Sequence, residues 1–380
     1  MNVHVDQVDS SHGRIYAHYR LHGSTEQIDL VSRALAVEET IEFPLELVTD
    51  SDIANNVVGR VEDVESSGES CSEVVISYSV EVTGWELPQL INVLFGNCSM
   101  WPGVRLEDVD LPESFLRHFA GPRFGTAGVR DLLGAYERPL LATAIKPMGT
   151  SAQGFAEMVF DCAAGGIDLI KDDHGLANQP YADFADRVKR CGEAVRAAND
   201  RYGTRALYMP CVNAPLEQLD SRVEIALKAG AGGLLVLPGI VGYDTIRYLS
   251  LRTEGRVPIM AHPSMLGSLV VEERQGMAPG LVFGTLPRLA GADLSAFPHA
   301  GGRFSFSEKD CSTIAEHCRA DLGSSAEIMP AAGGGMTLER VREVAEFYGN
   351  DVAILIGGDL HRGSLRSNAE SFRARLEEIG

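Results

Sequence analysis

From about Arg138 onward the chain keeps one rhythm, a short apolar run followed by a stretch whose apolar positions recur at helical spacing. The runs are PLLATAIKP (139–147), IDLIKDDH (167–174), ALYMPCVN (206–213), GLLVLPGI (233–240), PIMAHP (258–263), LSAFPHAG (294–301), AEIMPAAGGG (326–335) and VAILIGGD (352–359). Between them lie helical patterns such as FADRVKRCGEAVRAAND, LDSRVEIALKAGA and TLERVREVAEFYGN, so each predicted strand feeds a crossover helix. Eight such units over about 240 residues predict a (β/α)₈ barrel. An open doubly wound sheet usually has about five or six strands and a glycine fingerprint after the first. No G-x-G-x-x-G follows Ile145. Upstream the alternation is less regular. RIYAHYRL and EVVISYSV have strand composition, whereas TEQIDLVSRALAVEET and ELPQLINVLF have helical spacing. The pattern predicts an N-terminal α+β domain over 1–125 and an α/β barrel domain over 126–380.

Composition narrows the class. The 380 residues are 45% hydrophobic, enough for a sizeable core, which excludes a disordered or fibrous chain. Lys+Arg number 33 against 53 Asp+Glu, a net charge of −20 that repels phosphate backbones and anionic lipid, so neither nucleic acid nor membrane is an expected partner. Seven cysteines with no C-x-x-C pair argue against a disulfide framework or a structural zinc site. The opening MNVHVDQVDSSHGRIY has no leader pattern, and no apolar window reaches the ~18 to 20 residues of a membrane span. A cytoplasmic location is the expectation.

Barrel enzymes build their sites where strands end and βα loops begin. Those ends carry Lys146; Lys171, Asp172, Asp173 and His174; Asn213; His262; His299; Gly333 to Gly335; and Gly357, Gly358 and Asp359. Four of the ten histidines (His174, His262, His299, His361) fall in or just after such positions. In IKDDH, alternate side chains share a face, which places Lys171 and Asp173 together with His174 following. Carboxylate and imidazole suit a divalent metal, and Lys171 joins them only as a neutral amine or as a carbamate formed with CO₂. The same residues read equally as a strand-end ion pair of Lys171 with Asp172 or Asp173. Lys146 in AIKPMG reads as a general base at the barrel mouth or as a solvated loop lysine. His262 and His299 are polar side chains at strand tops, or hydrogen-bonded core histidines. The glycine runs PAAGGGM and LIGGDLHRG follow the seventh and eighth strands, where barrels cradle phosphate on backbone N–H groups. Arg362 is a candidate for a further charged contact there.

These segments resemble a known family. GGIDLIKDDHGLANQP (165–180), TAIKPMG (143–149), MAHPSM, PHAGG, the paired glycine runs and FGNCSMWPGVRLEDV (95–109) are similar to the large subunit of ribulose-bisphosphate carboxylase, in particular its carboxylase-like (type IV) members. The resemblance runs in order over nearly the whole chain. It implies a ferredoxin-like N-terminal domain, a (β/α)₈ barrel, and a head-to-tail homodimer or a multiple of dimers with shared sites. It further implies a carbamylated Lys171 and Asp173 as Mg²⁺ ligands, Lys146 as the enolising base, and His262 and His299 along the substrate. Gly333, Gly334, Gly357 and Gly358 would hold its phosphate, and Glu38 in AVEET and Asn92 would be supplied across the dimer.

The departures carry more information than the matches. His174 stands where the family's third metal ligand is a glutamate, which should weaken magnesium binding or shift it towards manganese. Met148 replaces a second lysine after the first strand, and Pro263 replaces an arginine for a second phosphate. Arg303 and Lys309 are out of register with the loop lysine that follows the sixth strand. A bisphosphate substrate and CO₂ fixation are therefore disfavoured. The expectation is an enolising enzyme for a phosphorylated ketose, an isomerase or enolase of the methylthioribulose-1-phosphate type. Two alternatives stand beside it. One is a decarboxylase or C–C hydrolase of a 3-oxo sugar-acid phosphate such as 3-oxo-isoapionate 4-phosphate; the other is a non-catalytic binding or regulatory protein.

Overall fold

The computed structural model describes residues 13–68 and 70–378. It forms two compact units, one made of the chain up to Ala120 with Gly267–Val282 and Asp321–Ser325, the other of Gly121–Leu266, Phe283–Ala320 and the chain from Ala326 on.

The first unit runs strand Arg14–His22, helix Thr25–Glu38, strands Arg60–Gly68 and Cys71–Ser79, helix Leu87–Phe95 and strand Val104–Asp110, the ferredoxin-like order. Arg14–His22 buries every second residue, which is why its composition read as a strand. Ser24 starts the first helix with a capping box: Gln27 N–H donates to its hydroxyl, and its own N–H donates to Gln27 Oε1 at 2.9 Å. Arg60–Gly68 is an edge strand with almost no buried position, so it carries no alternating pattern to find. At the opposite edge Gly276–Met277 pairs in parallel with Val104–Asp110, and Arg105 Nη1 donates to Glu272 O at 2.5 Å. Residues read from the sequence as part of the barrel half thus complete the first unit's sheet.

The second unit is the barrel. Its parallel strands are β1 (Leu140–Ile145), β2 (Leu169–Asp172), β3 (Leu207–Met209), β4 (Leu234–Val236), β5 (Ile259–Ala261), β6 (Leu294–Pro298), β7 (Met329–Gly333) and β8 (Ala353–Ile356), each inside one of the eight apolar runs. Their order is 3-2-1-8-7-6-5-4. The ring closes between β3 and β4, where Leu235 N–H donates to Pro210 O at 2.9 Å and Val212 N–H to Leu235 O at 3.1 Å. Most strand residues are buried on both faces, the reason the runs are continuous rather than alternating. Leu140, Leu169, Met209, Leu235, Met260, Leu294, Met329 and Ala353 meet in the core. Buried carboxylates tie the strands' N-terminal ends. Asp168 takes a bidentate pair from Arg138 at 2.7 Å and the Leu141 N–H, and Asp293 accepts from the Phe124, Gly125 and Ile259 N–H groups. That end is saturated by structure, which leaves the other end for chemistry.

Candidate active site

At the end of β2 the two-residue period separates two carboxylates. Asp172 is fully buried on the outer face, where Oδ1 accepts from Tyr208 Oη at 2.6 Å and Oδ2 from Arg187 Nη2 and Cys211 N, each at 3.1 Å. The Arg187 guanidinium also donates to Ala182 O and Ala177 O. The strand-end pairing of Lys171 with an aspartate is therefore corrected. Lys171 forms no ion pair among the described residues, and its Nζ donates to the Asp172 backbone oxygen at 3.1 Å. Burial, only partly offset by the charge of Asp173, brings its pKa down to about 8.

Asp173 turns to the inner side and meets β1. Lys146 Nζ lies 3.0 Å from its Oδ2, so Lys146 is a partnered side chain rather than a solvated loop lysine. The other oxygen accepts from Gly175 N–H at 3.1 Å and sits 3.4 Å from His174 Nδ1. Burial works against the charged form, yet the Gly175 N–H and Lys146 outweigh it and hold the carboxyl below its ordinary range. The His174 ring stacks on His262 at 4.6 Å between centroids, which brings the ends of β2 and β5 together over the mouth. Burial together with the charges of Lys171, His174 and Lys146 keeps His262 neutral far below its usual titration. Its Nδ1 accepts from the Ser264 N–H at 3.2 Å, which leaves the proton on Nε2.

Lys146, Lys171, Asp173, His174 and His262 thus converge. His299 is placed apart: its Nδ1 hydrogen-bonds the Tyr348 hydroxyl at 2.9 Å, its ring packs edge-on against Phe347 and Tyr348, and its N–H donates to Gly333 O. Gly334 and Gly335 have φ of +91° and +73°, which disfavours any side chain. Part of that requirement is packing, because a Cβ on Gly302 would lie 2.4 Å from Gly334 O, and Arg340 Nη2 binds Ala300 O at 2.8 Å. A Cβ on Gly357 or Gly358 would meet nothing within 4 Å, so the loop after β8 is open. Pairing of β8 with β1 sets that loop beside Lys146. Arg362, the sequence candidate for a charged contact, is paired with Asp359 at 3.0 Å with its side chain 82% exposed. Met148 lies against the Asp173–Gly175 turn.

Glu38 and Asn92 belong to the first unit. Asn92 is exposed on its helix; Asn97 is the asparagine that donates to Glu38, at 2.9 Å. Ser264, Tyr348 and Asn97 escaped sequence reasoning because each is a common polar residue with no spacing signal. His361 is a strand-end histidine whose Nε2 is buried without a hydrogen-bond partner among the described residues.

Among the described residues no three His, Cys, Asp or Glu side chains form a metal cluster. A divalent ion here depends on Lys171. The donor chemistry fits: Asp173 gives oxygen, His174 nitrogen, and an amine with lowered proton affinity is the form that CO₂ carbamylates to a second oxygen donor.

Comparison with known proteins places these features. Residues 125–377 match the family model "Ribulose bisphosphate carboxylase large chain, catalytic domain". Ribulose bisphosphate carboxylase-like protein 1 of Rhodopseudomonas palustris is 37% identical over 369 residues, 97% of this chain and 98% of that protein. The 5-methylthioribulose-1-phosphate isomerase of Rhodospirillum rubrum is 38% identical over 91% of both chains. The crystal structure of a Rubisco-like protein from Rhodopseudomonas palustris superimposes with a TM-score of 0.87 at 38% identity, covering 97% of this chain and 98% of that one.

Proposed function

The chain belongs to the ribulose bisphosphate carboxylase large-chain family, and from that premise we propose that it is a non-carboxylating enzyme that enolises a phosphorylated ketose, of the 5-methylthioribulose-1-phosphate isomerase or enolase kind. The observation that carries this reading is Lys146 Nζ held 3.0 Å from Asp173 beside the buried Lys171. Such a cluster supplies a base and a focus of positive charge for an enolate. Met148 and Pro263, standing where the carboxylase has cations, support the non-carboxylating part.

Lys171 as a carbamate, Asp173 and His174 would hold Mg²⁺, or Mn²⁺ given the imidazole, which would polarise the substrate carbonyl. The remaining work falls to the protein's own groups. Asp173 orients Lys146 through their 3.0 Å contact. As the neutral amine, Nζ takes the proton alpha to the carbonyl and becomes the ammonium, leaving the electron pair of the broken C–H bond in the enolate. His262, neutral with its proton on Nε2, is suited to donate to the developing enolate oxygen. The backbone at Gly333, Gly334, Gly357 and Gly358 would seat the phosphate, with His299 supporting the Gly333 carbonyl. The family reading also carries a homodimer or multiple of dimers, for which scattering should give a mass of at least twice 40.9 kDa; a clean monomer at micromolar concentration would exclude it.

The test is entry of solvent deuterium into 5-methylthioribulose 1-phosphate with Mg²⁺ and bicarbonate. Lys146→Met should slow exchange by about 10²–10⁴-fold while substrate binding survives. Undiminished exchange in Lys146→Met would move the base to His262 or His299 and sink this assignment.

A further inference from the structure

The barrel end opposite the mouth holds a cleft of about 740 Å³. It opens between the end of helix Gly125–Leu133, the residues just before β1, β2 and β3, and the last helix, Leu365–Glu377, all within the second unit. Its most buried charges are spent on the fold. Asp168 holds the bidentate Arg138 pair and the Leu141 N–H, and Arg373 Nη1 reaches its Oδ1 at 3.3 Å, so the carboxylate has no acceptor capacity left. Arg205 is left over. It is exposed and has no acidic partner among the described residues. Its guanidinium lies across the end of helix Gly125–Leu133, where a Cβ on Gly134 would sit 2.9 Å from Nη1 and push it aside. The partial negative charge of a helix C-terminus, roughly half a unit, steadies the cation there without neutralising it. Arg373 is a second available fork. Its Nη2 has no hydrogen-bond acceptor among the described residues, and its Nε is held at 2.7 Å by Glu377, an exposed side chain that can turn to solvent. Glu137, exposed and without an ion pair among the described residues, is the acidic group on the rim that opposes the two arginines.

Two guanidinium forks from separate elements offer more N–H groups than the fold supplies acceptors. They call for a ligand with diverging oxygens, a phosphate dianion, since a single carboxylate would satisfy only one fork. The remaining wall is apolar. Leu133, Ala135, Ile167 and Ala206 line it, and Tyr136, 59% exposed, is held in place by a hydrogen bond from its hydroxyl to Asp131 Oδ1 at 3.0 Å. We propose that this cleft is a second ligand site, remote from the mouth, for a phosphate monoester with an aromatic or apolar organic part. The phosphate lies between Arg205 and Arg373 and the organic part against Tyr136. The site stands apart from the enolising reading, because none of its residues belongs to the cluster around Asp173.

Calorimetry with phenyl phosphate on the full chain at low salt tests the site. The wild type should bind it, and Arg205→Gln and Arg373→Gln should each weaken binding by at least about tenfold, the loss of a charge-assisted contact. Arg205→Gln should melt at the wild-type temperature because the side chain is exposed, so its result stands even if Arg373→Gln loses stability with its Asp168 contact. Gly357→Asp, which puts a carboxylate into the open loop at the mouth, should leave phenyl phosphate affinity within about twofold of the wild type. Inorganic phosphate should bind at least about threefold more weakly than phenyl phosphate, for want of the apolar contact. Equal affinity for the two probes would reduce the cleft to a sink for simple anions and overturn the ligand class. Binding lost in Gly357→Asp and kept in Arg205→Gln would put the probe at the mouth and overturn the site, as would a wild type that binds no phenyl phosphate. None of these results alters the deuterium-exchange test of the enolising reading.

Discussion

Asp172 and Asp173 are adjacent in the chain, yet β2 sends them to opposite faces, into surroundings with different consequences. On the outer face Asp172 has its oxygens satisfied by Arg187, Tyr208 and the Cys211 N–H, with both charged side chains fully buried. On the inner face Asp173 pairs with Lys146, 35% exposed, and His174, 45% exposed. A carboxylate whose partners cannot leave is a structural element. One whose partners remain accessible can exchange them for a ligand. The contrast explains why two identical side chains one residue apart divide the work of holding the barrel and serving its mouth.

Breaking each pair should separate the two roles. The largest effect expected is on Asp172→Ala, which strands the Arg187 guanidinium in the interior and should cost roughly 3–5 kcal/mol in urea unfolding. Asp173→Ala should stay within about 1 kcal/mol of the wild type, since its partners can turn to solvent. Similar losses in both variants would erase the distinction. A smaller effect concerns the metal. Asp173→Ala should lose magnesium affinity in calorimetry, whereas His174→Glu should keep or strengthen it by restoring an oxygen ligand. Equal affinity in the wild type and Asp173→Ala would leave the inner face as an ion-pair cluster only.

The smallest effect is a pH dependence from Lys171. In the folded protein its amine releases a proton near 8, whereas the unfolded chain holds it to the ordinary 10.5. Between those values the unfolded state binds more protons, so stability should rise with pH across about 8 to 10.5 and be lost again as pH falls back through 8. Urea midpoints in CO₂-free buffer, compared with Lys171→Met, isolate this slope from other lysines and tyrosines. A difference curve flat over that window would mean that Lys171 keeps its proton when folded.

The barrel strands could be read because each is buried on both faces and so appears as an uninterrupted apolar run. Even the three-residue β3, β4 and β5 stood out this way. Arg60–Gly68 could not be read, because an exposed edge strand is held by backbone hydrogen bonds that leave no hydrophobic signature. Gly276–Met277 was hidden for another reason: two residues are too few to carry a period, and their partner Val104–Asp110 lies far away in sequence.

At the candidate site the same division holds. The two-residue period of a strand suffices to put Lys171 and Asp173 on one face, and topology suffices to put β8 beside β1, so the placing of Lys146 next to the glycine run after β8 was legible in the sequence. Partners do not follow from it. That Asp172 belongs to Arg187, that His174 stacks on His262, and that Arg362 is paired with Asp359 depend on which side chains folding brings within a few ångströms. Local periodicity determines where a side chain points; only the packed tertiary structure determines what it meets, because burial and pairing are properties of neighbours distant in the chain.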